Sequence, residues 1–423
     1  MQIEKSLLYQ RIFFTAFWIR GTFSFISEEV FLFLDPLSPI VFLAYDFVIC
    51  LLGILTIRKR CDITILCGFI AISYFSTCVI NGLSLLFYIN GLRDFLSFLF
   101  LIPIFRYFFE EDARKKRFVE SFDKQLIIFL VIQALCLVWQ FFKYGAGDHG
   151  GGSLGNWNSG IISTMIYLSS FYLMQKKIGD DYFKGLSNNI IYIILLFPTF
   201  LNETKISFIL FAAYFLLLIS INRKAFFRIL IIFPLIIVLM FGAISVYMMS
   251  SDNTNDIFTK EYYTEMYLMN DDSEEYAKWL LEEDMGDLED IPRFSKLLIL
   301  GEIFEENPNN IFTGFGLGHF KGGTFIDFSD FFKEYEWTMI GSIPYLFHII
   351  IQLGLTGILF FIVFWGYYMG FKEKEKFRNL NLQLYIILVV FLILFYNDSL
   401  RSSFMSVILM YMLFSSNNMN LRR

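Results

Sequence analysis

The chain has 423 residues, of which 56% are hydrophobic, 20% aromatic and only 17% charged, with a mean hydropathy of +0.58. A soluble domain usually carries about 25% charged residues, so an ordinary soluble globule is excluded. The formal net charge of -6 excludes the basic footprint that nucleic-acid binding requires.

Apolar runs of spanning length recur near 6–26, 37–57, 62–80, 91–109, 125–142, 157–174, 188–203, 204–220, 228–249, 344–370, 382–398 and 402–416. Runs of about 20 apolar residues are what a bilayer core accommodates. The predicted fold class is therefore an all-α polytopic membrane protein with about twelve transmembrane helices. The 54 Phe spread over these runs fit lipid-facing helices. Arg11 and Arg20 interrupt the first run, and no small-residue cleavage site follows it. It reads as a retained helix rather than a signal peptide. The 188–203 and 204–220 runs are short and also fit a re-entrant hairpin.

Lys and Arg in short loops fix the orientation. Arg58-Lys59-Arg60, Arg114-Lys115-Lys116-Arg117, Lys176-Lys177, Arg223-Lys224, the 372–378 segment and Arg422-Arg423 all fall on one side if every run spans. Both termini are then cytoplasmic. Helices one to nine occupy 1–249, a long outer loop occupies 250–343, and the last three helices occupy 344–423. The five cysteines, Cys50, Cys61, Cys67, Cys78 and Cys136, lie in or beside apolar runs without a C-x-x-C. That supports neither a disulfide framework nor a zinc site.

The outer loop of 94 residues is too long for a plain connector, and it holds 21 acidic against 6 basic residues. Its first part reads as an acidic amphipathic helix, with Tyr262, Tyr263, Tyr267, Leu268, Trp279 and Leu280 able to lie along the membrane surface. The next helix starts at Pro292, a favoured first helical position, and runs to about Glu306, ahead of Pro308.

Arg293 heads that helix as the outstanding cation of an acidic loop. Its guanidinium suits phosphate oxygens; the alternative is a surface ion pair with Asp290 or Glu302. Gly314, Gly316 and Gly318 permit tight turns and close approach of a ligand. They neither follow a strand nor open a helix, so they are no dinucleotide fingerprint. His319 follows them, either as a base or as a surface histidine in a turn. Arg93 with Asp94, Glu203 with Lys205, and Asp398 with Arg401 sit at outer helix ends. Arg93, Lys205, Arg293 and Arg401 thus gather on the outer side, against the positive-inside trend. That suits an anionic ligand; the alternative is snorkelling or pairing at helix ends. The Gly-rich 145–158 loop, with His149, Asn156, Trp157 and Asn158, is either a sugar-contacting or a flexible loop. His348, with Gln352 four residues on, reads as a satisfied polar group inside a helix.

In this order and placement, the motifs resemble those of bacterial O-antigen polymerases and ligases. They are L-R-D-F-L around Arg93, N-E-T-K at 202–205, R-x-x-x-L from Arg293, Asn307-Pro308, the G-x-G-x-G turn, and L-G-x-x-G in QLGLTGILFF. The resemblance implies a membrane-embedded glycosyltransferase of the GT-C type, acting on undecaprenyl-diphosphate-linked oligosaccharides at the outer face of the inner membrane. It needs no metal and no cofactor, and a chain-length regulator is an implied partner besides membrane lipids. Ligases of this superfamily carry His followed by Asn, Ser or Gln, nine residues, and G-x-x-G. Counted back from Gly354 and Gly357, those positions here are Ile343 and Pro344. The departure favours a Wzy-type polymerase over a ligase; a flippase-type transporter is a further alternative. In the polymerase reading, Arg293, with Arg93, Lys205 and Arg401, stabilises the leaving diphosphate. Glu203 and the three glycines line the substrate, and Glu336 or His319 takes the acceptor's proton.

Overall fold

The computed structural model describes residues 2–145, 147, 149–156, 158–178, 182–202, 205–218, 293–319, 329–335, 338, 343–368 and 380–416. Among them the chain is helical and contains no strand. The 228–249 run, the acidic first part of the outer loop and the basic 372–378 segment lie outside the described residues.

The first five helices are α1 (Gln2–Phe25), α2 (Ser38–Thr56), α3 (Arg60–Tyr74), α4 (Leu85–Phe109) and α5 (Asp112–Tyr144). They follow the apolar runs. α6 (Ser159–Lys177) comes next, then the short α7 (Tyr182–Asn188) and α8 (Ile191–Ile194), then α9 (Lys205–Leu218). After the loop come α10 (Arg293–Glu306), α11 (Asp330–Tyr335), α12 (Tyr345–Tyr368), α13 (Leu380–Tyr396) and α14 (Ser403–Ser416). Segments 32–56, 60–80, 85–109, 112–144 and 345–367 are long and apolar enough to cross a membrane. The 191–200, 206–218, 381–396 and 403–416 segments are apolar but shorter.

α6 and α14 are buried along nearly their whole lengths, so they form the centre. Several of their hydroxyls find partners in protein. Ser170 donates to the Tyr192 carbonyl at 2.8 Å, and Tyr172 and Tyr411 share a hydrogen bond at 2.9 Å. Many phenylalanines are interior too, contrary to the lipid-facing expectation. Phe105, Phe108, Phe118, Phe122 and Tyr411 form one ring cluster, stacked at 4.2 Å between Phe108 and Phe118 and 3.8 Å between Phe122 and Tyr411. Such offset contacts add to the burial of large rings.

The 188–203 run is broken: α8 gives way to a 3-10 turn over Phe197–Phe200. Its tip reaches the start of α6, where the buried Asn202 amide donates to the Gly150 and Ser159 carbonyls at 3.1 and 3.3 Å.

The middle of the Gly-rich loop is enclosed by protein. Residues 150–155 are buried, and the turn Gly152–Leu154 is held by two glutamines of α5. The Ser153 amide donates to Gln133 Oε1 at 2.8 Å, and the Gly152 amide to Gln140 Oε1 at 2.8 Å. Gln133 lies 11 residues before the end of α5, so the loop dips about 16 Å into the bundle at 1.5 Å rise per residue. Away from water, those glutamines stand in for solvent.

α12 is interrupted at Gly354, with φ 60° and ψ -152°. The break frees the Ile351 and Gln352 carbonyls and the Leu355 and Thr356 amides. The loop after α10 takes up all four. Phe315 and Gly316 amides donate to Ile351 and Gln352 at 2.8 and 3.0 Å, while Leu355 and Thr356 amides donate to Ile311 and Phe312 carbonyls at 2.9 and 3.0 Å. A Cβ on Gly354 would stand 2.5 Å from the Ile311 oxygen. Positive φ and that contact together make Gly354→Ala destabilising by about 2 kcal/mol or more. It should lower the unfolding midpoint of the detergent-solubilised chain by several degrees. Gly366→Ala, in the same helix with open space around the added methyl, should not.

Candidate functional site

The site is built from α4, α10 and α12 and from the reversal between α13 and α14. Arg401 ends a 3-10 turn between α13 and α14. Its guanidinium meets Asp94 of α4 at 3.6 Å and Asp398 at 3.2 Å, and donates to His348 Nε2 of α12 at 3.0 Å. Burial alone would weaken its charge; Asp94 and Asp398 more than offset that and hold the guanidinium above its ordinary pKa. Nε2 of His348 accepts here, so the ring is neutral, and its 3.8 Å approach to Asp398 is a close contact rather than an ion pair.

Arg93, next to Asp94, faces the other way. It donates to Asp46 of α2 at 3.1 Å, and Ser97 donates to the second Asp46 oxygen at 2.8 Å. Arg20 of α1 lies within electrostatic reach of the same carboxylate and sits over the Phe42 ring at 4.0 Å. Arg293 lies over the Tyr396 ring at 4.2 Å, two residues before Asp398. Two groups result: Arg93 and Arg20 about Asp46, and Arg401 between Asp94 and Asp398 with Arg293 over the neighbouring Tyr396 ring. Of the four expected cations, Arg293 and Arg401 come to the α13–α14 reversal, and Arg93, beside Asp94 in α4, turns instead to Asp46. The fourth, Lys205, opens α9; its side chain and Glu203 lie outside the described residues, as does Glu336. The corner that Lys205 follows adjoins the same junction, because Asn202 holds the Ser159 carbonyl while the neighbouring Gly160 faces the Asn397 amide.

The glycine turn does other work. Gly314, Gly316 and Gly318 have φ of 66°, 95° and 100°. Added Cβ atoms would meet Gln352, Thr77 and Phe87 backbone at 2.4, 2.9 and 2.2 Å. The close approach they permit is backbone on backbone, not ligand on backbone. The π-helical turn Phe75–Ile80 and Asn81 grip this loop. Ser76 donates to the Thr313 carbonyl at 2.5 Å, Asn81 to that of Gly314 at 3.0 Å, and the Leu317 amide to Thr77 Oγ1 at 2.8 Å.

His319 is buried, not a surface residue. Its Nε2–H donates to the Phe315 carbonyl and Nδ1 accepts from Ser329 Oγ, both at 2.8 Å. Burial pushes its pKa down to about 4. A neutral ring with both nitrogens engaged is a strut for the glycine turn rather than an available base.

Sequence reasoning passed over Arg20, Asp46 and Lys296. Lys296 is fully buried one turn after Arg293. The signal was present: each is an ionisable residue inside an apolar pattern. At the rim, Glu28 accepts from the Asn156 amide at 2.8 Å, and Glu29 pairs with Lys143 at 2.6 Å. These contacts pin the Gly-rich loop, of which Trp157 lies outside the described residues. No group of three metal-binding side chains occurs among the described residues.

Compared with known proteins, the chain matches no family model and none of the curated proteins.

Because the folded pKa of His319 lies below the ordinary 6.5, its neutral form supports the fold fully above about pH 6.5. That support falls with pH and is gone below about 4, a change of about 3 kcal/mol at 1.36 kcal/mol per unit. Hydrogen exchange of 311–319 amides should rise across this window, and in H319Q the pH dependence should flatten.

Proposed function

We propose that the chain is a Wzy-type polysaccharide polymerase. It transfers a growing glycan from undecaprenyl diphosphate to the terminal hydroxyl of a lipid-linked repeat unit, at the outer face of a bacterial inner membrane. About twelve spans in a GT-C-like arrangement, with both termini cytoplasmic, belong to this reading. The observation that carries it is the set of arginines at helix ends: Arg401 held between Asp94 and Asp398, Arg93 next to Asp94 in the chain and held by Asp46, and Arg293 over the Tyr396 ring two residues before Asp398.

Charge in a low-dielectric site is costly unless matched. A diphosphate brings negative charge to these cations, and more of it builds up as the glycosyl bond breaks. Guanidinium groups already fixed by Asp46, Asp94 and Asp398 stabilise that charge without reorganising. The lipid tail enters between helices, and the acidic part of the outer loop covers the glycan.

The break in α12 favours an enzyme over a transporter. Transporters present the ends of discontinuous helices to their substrate. Here the 311–316 loop occupies both ends. Ile343-Pro344 at the ligase positions favours polymerisation over transfer to lipid A core.

Arg293→Ala should remove a preorganised donor, costing roughly 10²-fold or more in transfer. Cells expressing it at wild-type membrane levels should accumulate lipid-linked single units and lack long chains on a gel. An unchanged chain-length distribution would contradict the role.

A further inference from the structure

Transfer to a hydroxyl requires a group that takes its proton, within reach of the carbon that carries the diphosphate. His319 is closed on both ring nitrogens. Three carboxylates lie among the cations instead, and they are not equivalent. Asp46 is 18% exposed and holds Arg93 through one oxygen and Ser97 through the other. Asp94 is 14% exposed and lies under Arg401. Asp398 is the most open at 34%, and it caps the chain reversal between α13 and α14.

We propose that Asp398 is the proton acceptor for the incoming hydroxyl. The inference rests on the polymerase reading and deepens it. Arg401 is the hinge of the arrangement. One guanidinium nitrogen, Nη1, contacts both Asp398 at 3.2 Å and the neutral His348 at 3.0 Å, while Nε faces Asp94. Base and leaving-group cation are thereby held in fixed relation. The Arg293 guanidinium over Tyr396 places a second cation on the same reversal.

The hydroxyl gives its proton to a carboxylate oxygen of Asp398. The electron pair left on the hydroxyl oxygen forms the new bond to the anomeric carbon. The bond from that carbon to the diphosphate oxygen breaks, and its electron pair leaves on the diphosphate beside Arg401 and Arg293. Asp398 then returns the proton to water. The groups facing Asp398 are Arg401 on its own reversal, His348 and Tyr345 from α12, and Asp94 of α4 behind Arg401.

The test uses the purified full-length chain in detergent, with a polyprenyl-diphosphate-linked oligosaccharide as donor and acceptor. D398N should lower kcat by roughly 10²- to 10⁴-fold, with KM unchanged or lower, and its residual rate should lack the acidic limb of the pH profile. E336Q should keep that limb. D398E should keep measurable turnover with the limb displaced; it decides the matter if D398N does not fold. A D398N kcat within about threefold of wild type, a loss confined to KM, or a wild-type acidic limb in either Asp398 variant overturns the assignment. A wild-type chain that makes no polymer from these units overturns the polymerase reading beneath it.

Discussion

The structure turns on a half-buried, charged guanidinium. Arg401 would be costly at this depth were it not faced by Asp94 from one helix and Asp398 from its own turn. Removing one partner of such a pair is destabilising, because the other charge is stranded away from most of the solvent. The same logic repeats at Asp46, which answers Arg93 and lies within reach of Arg20. The charges therefore dictate how α1, α2, α4, α12 and the α13–α14 reversal meet.

Around that junction the chain uses irregular backbone wherever water is excluded, and bonds every such stretch to protein. Gln133 and Gln140 hold the inserted Gly-rich turn. Asn202 holds the tip of the broken hairpin against α6. The loop after α10 completes the interrupted α12. Lipid-exposed irregular backbone is not tolerated at membrane depth, so each interruption marks a place enclosed by protein. The hairpin tip and α12 adjoin the α13–α14 reversal that carries Arg401.

Much of this frame was legible from hydropathy and loop charge. α10 begins at Arg293, directly after Pro292, and ends at Glu306, ahead of Pro308, as the start and stop residues predict. Arg93, Arg293 and Arg401 were legible as ionisable residues beside apolar runs. Asp398 was legible beside Arg401, but Asp46 as the partner of Arg93 and Asp94 as that of Arg401 were not, since they are chosen by helix rotation, which a single sequence does not display. L-G-x-x-G was visible as a motif, but its role is a helix break that only the facing 311–316 backbone explains. The Gly-rich loop read as a surface feature because its anchors, Gln133 and Gln140, sit two turns apart inside an apolar helix. His319 looked like a base because an isolated imidazole titrates near neutrality; enclosure between Phe315 and Ser329 changes that.

The central claim is that the gathered arginines hold a lipid diphosphate. The most direct measurement is equilibrium binding of polyprenyl diphosphate and of the uncharged polyprenol to the purified chain in the same detergent. The account predicts that the diphosphate binds roughly 100-fold more tightly, the equivalent of two or three charge-assisted hydrogen bonds, and that R401A and R93A each lose about tenfold or more of that preference. Equal affinity for the two lipids, or an undiminished preference in both variants, would contradict it.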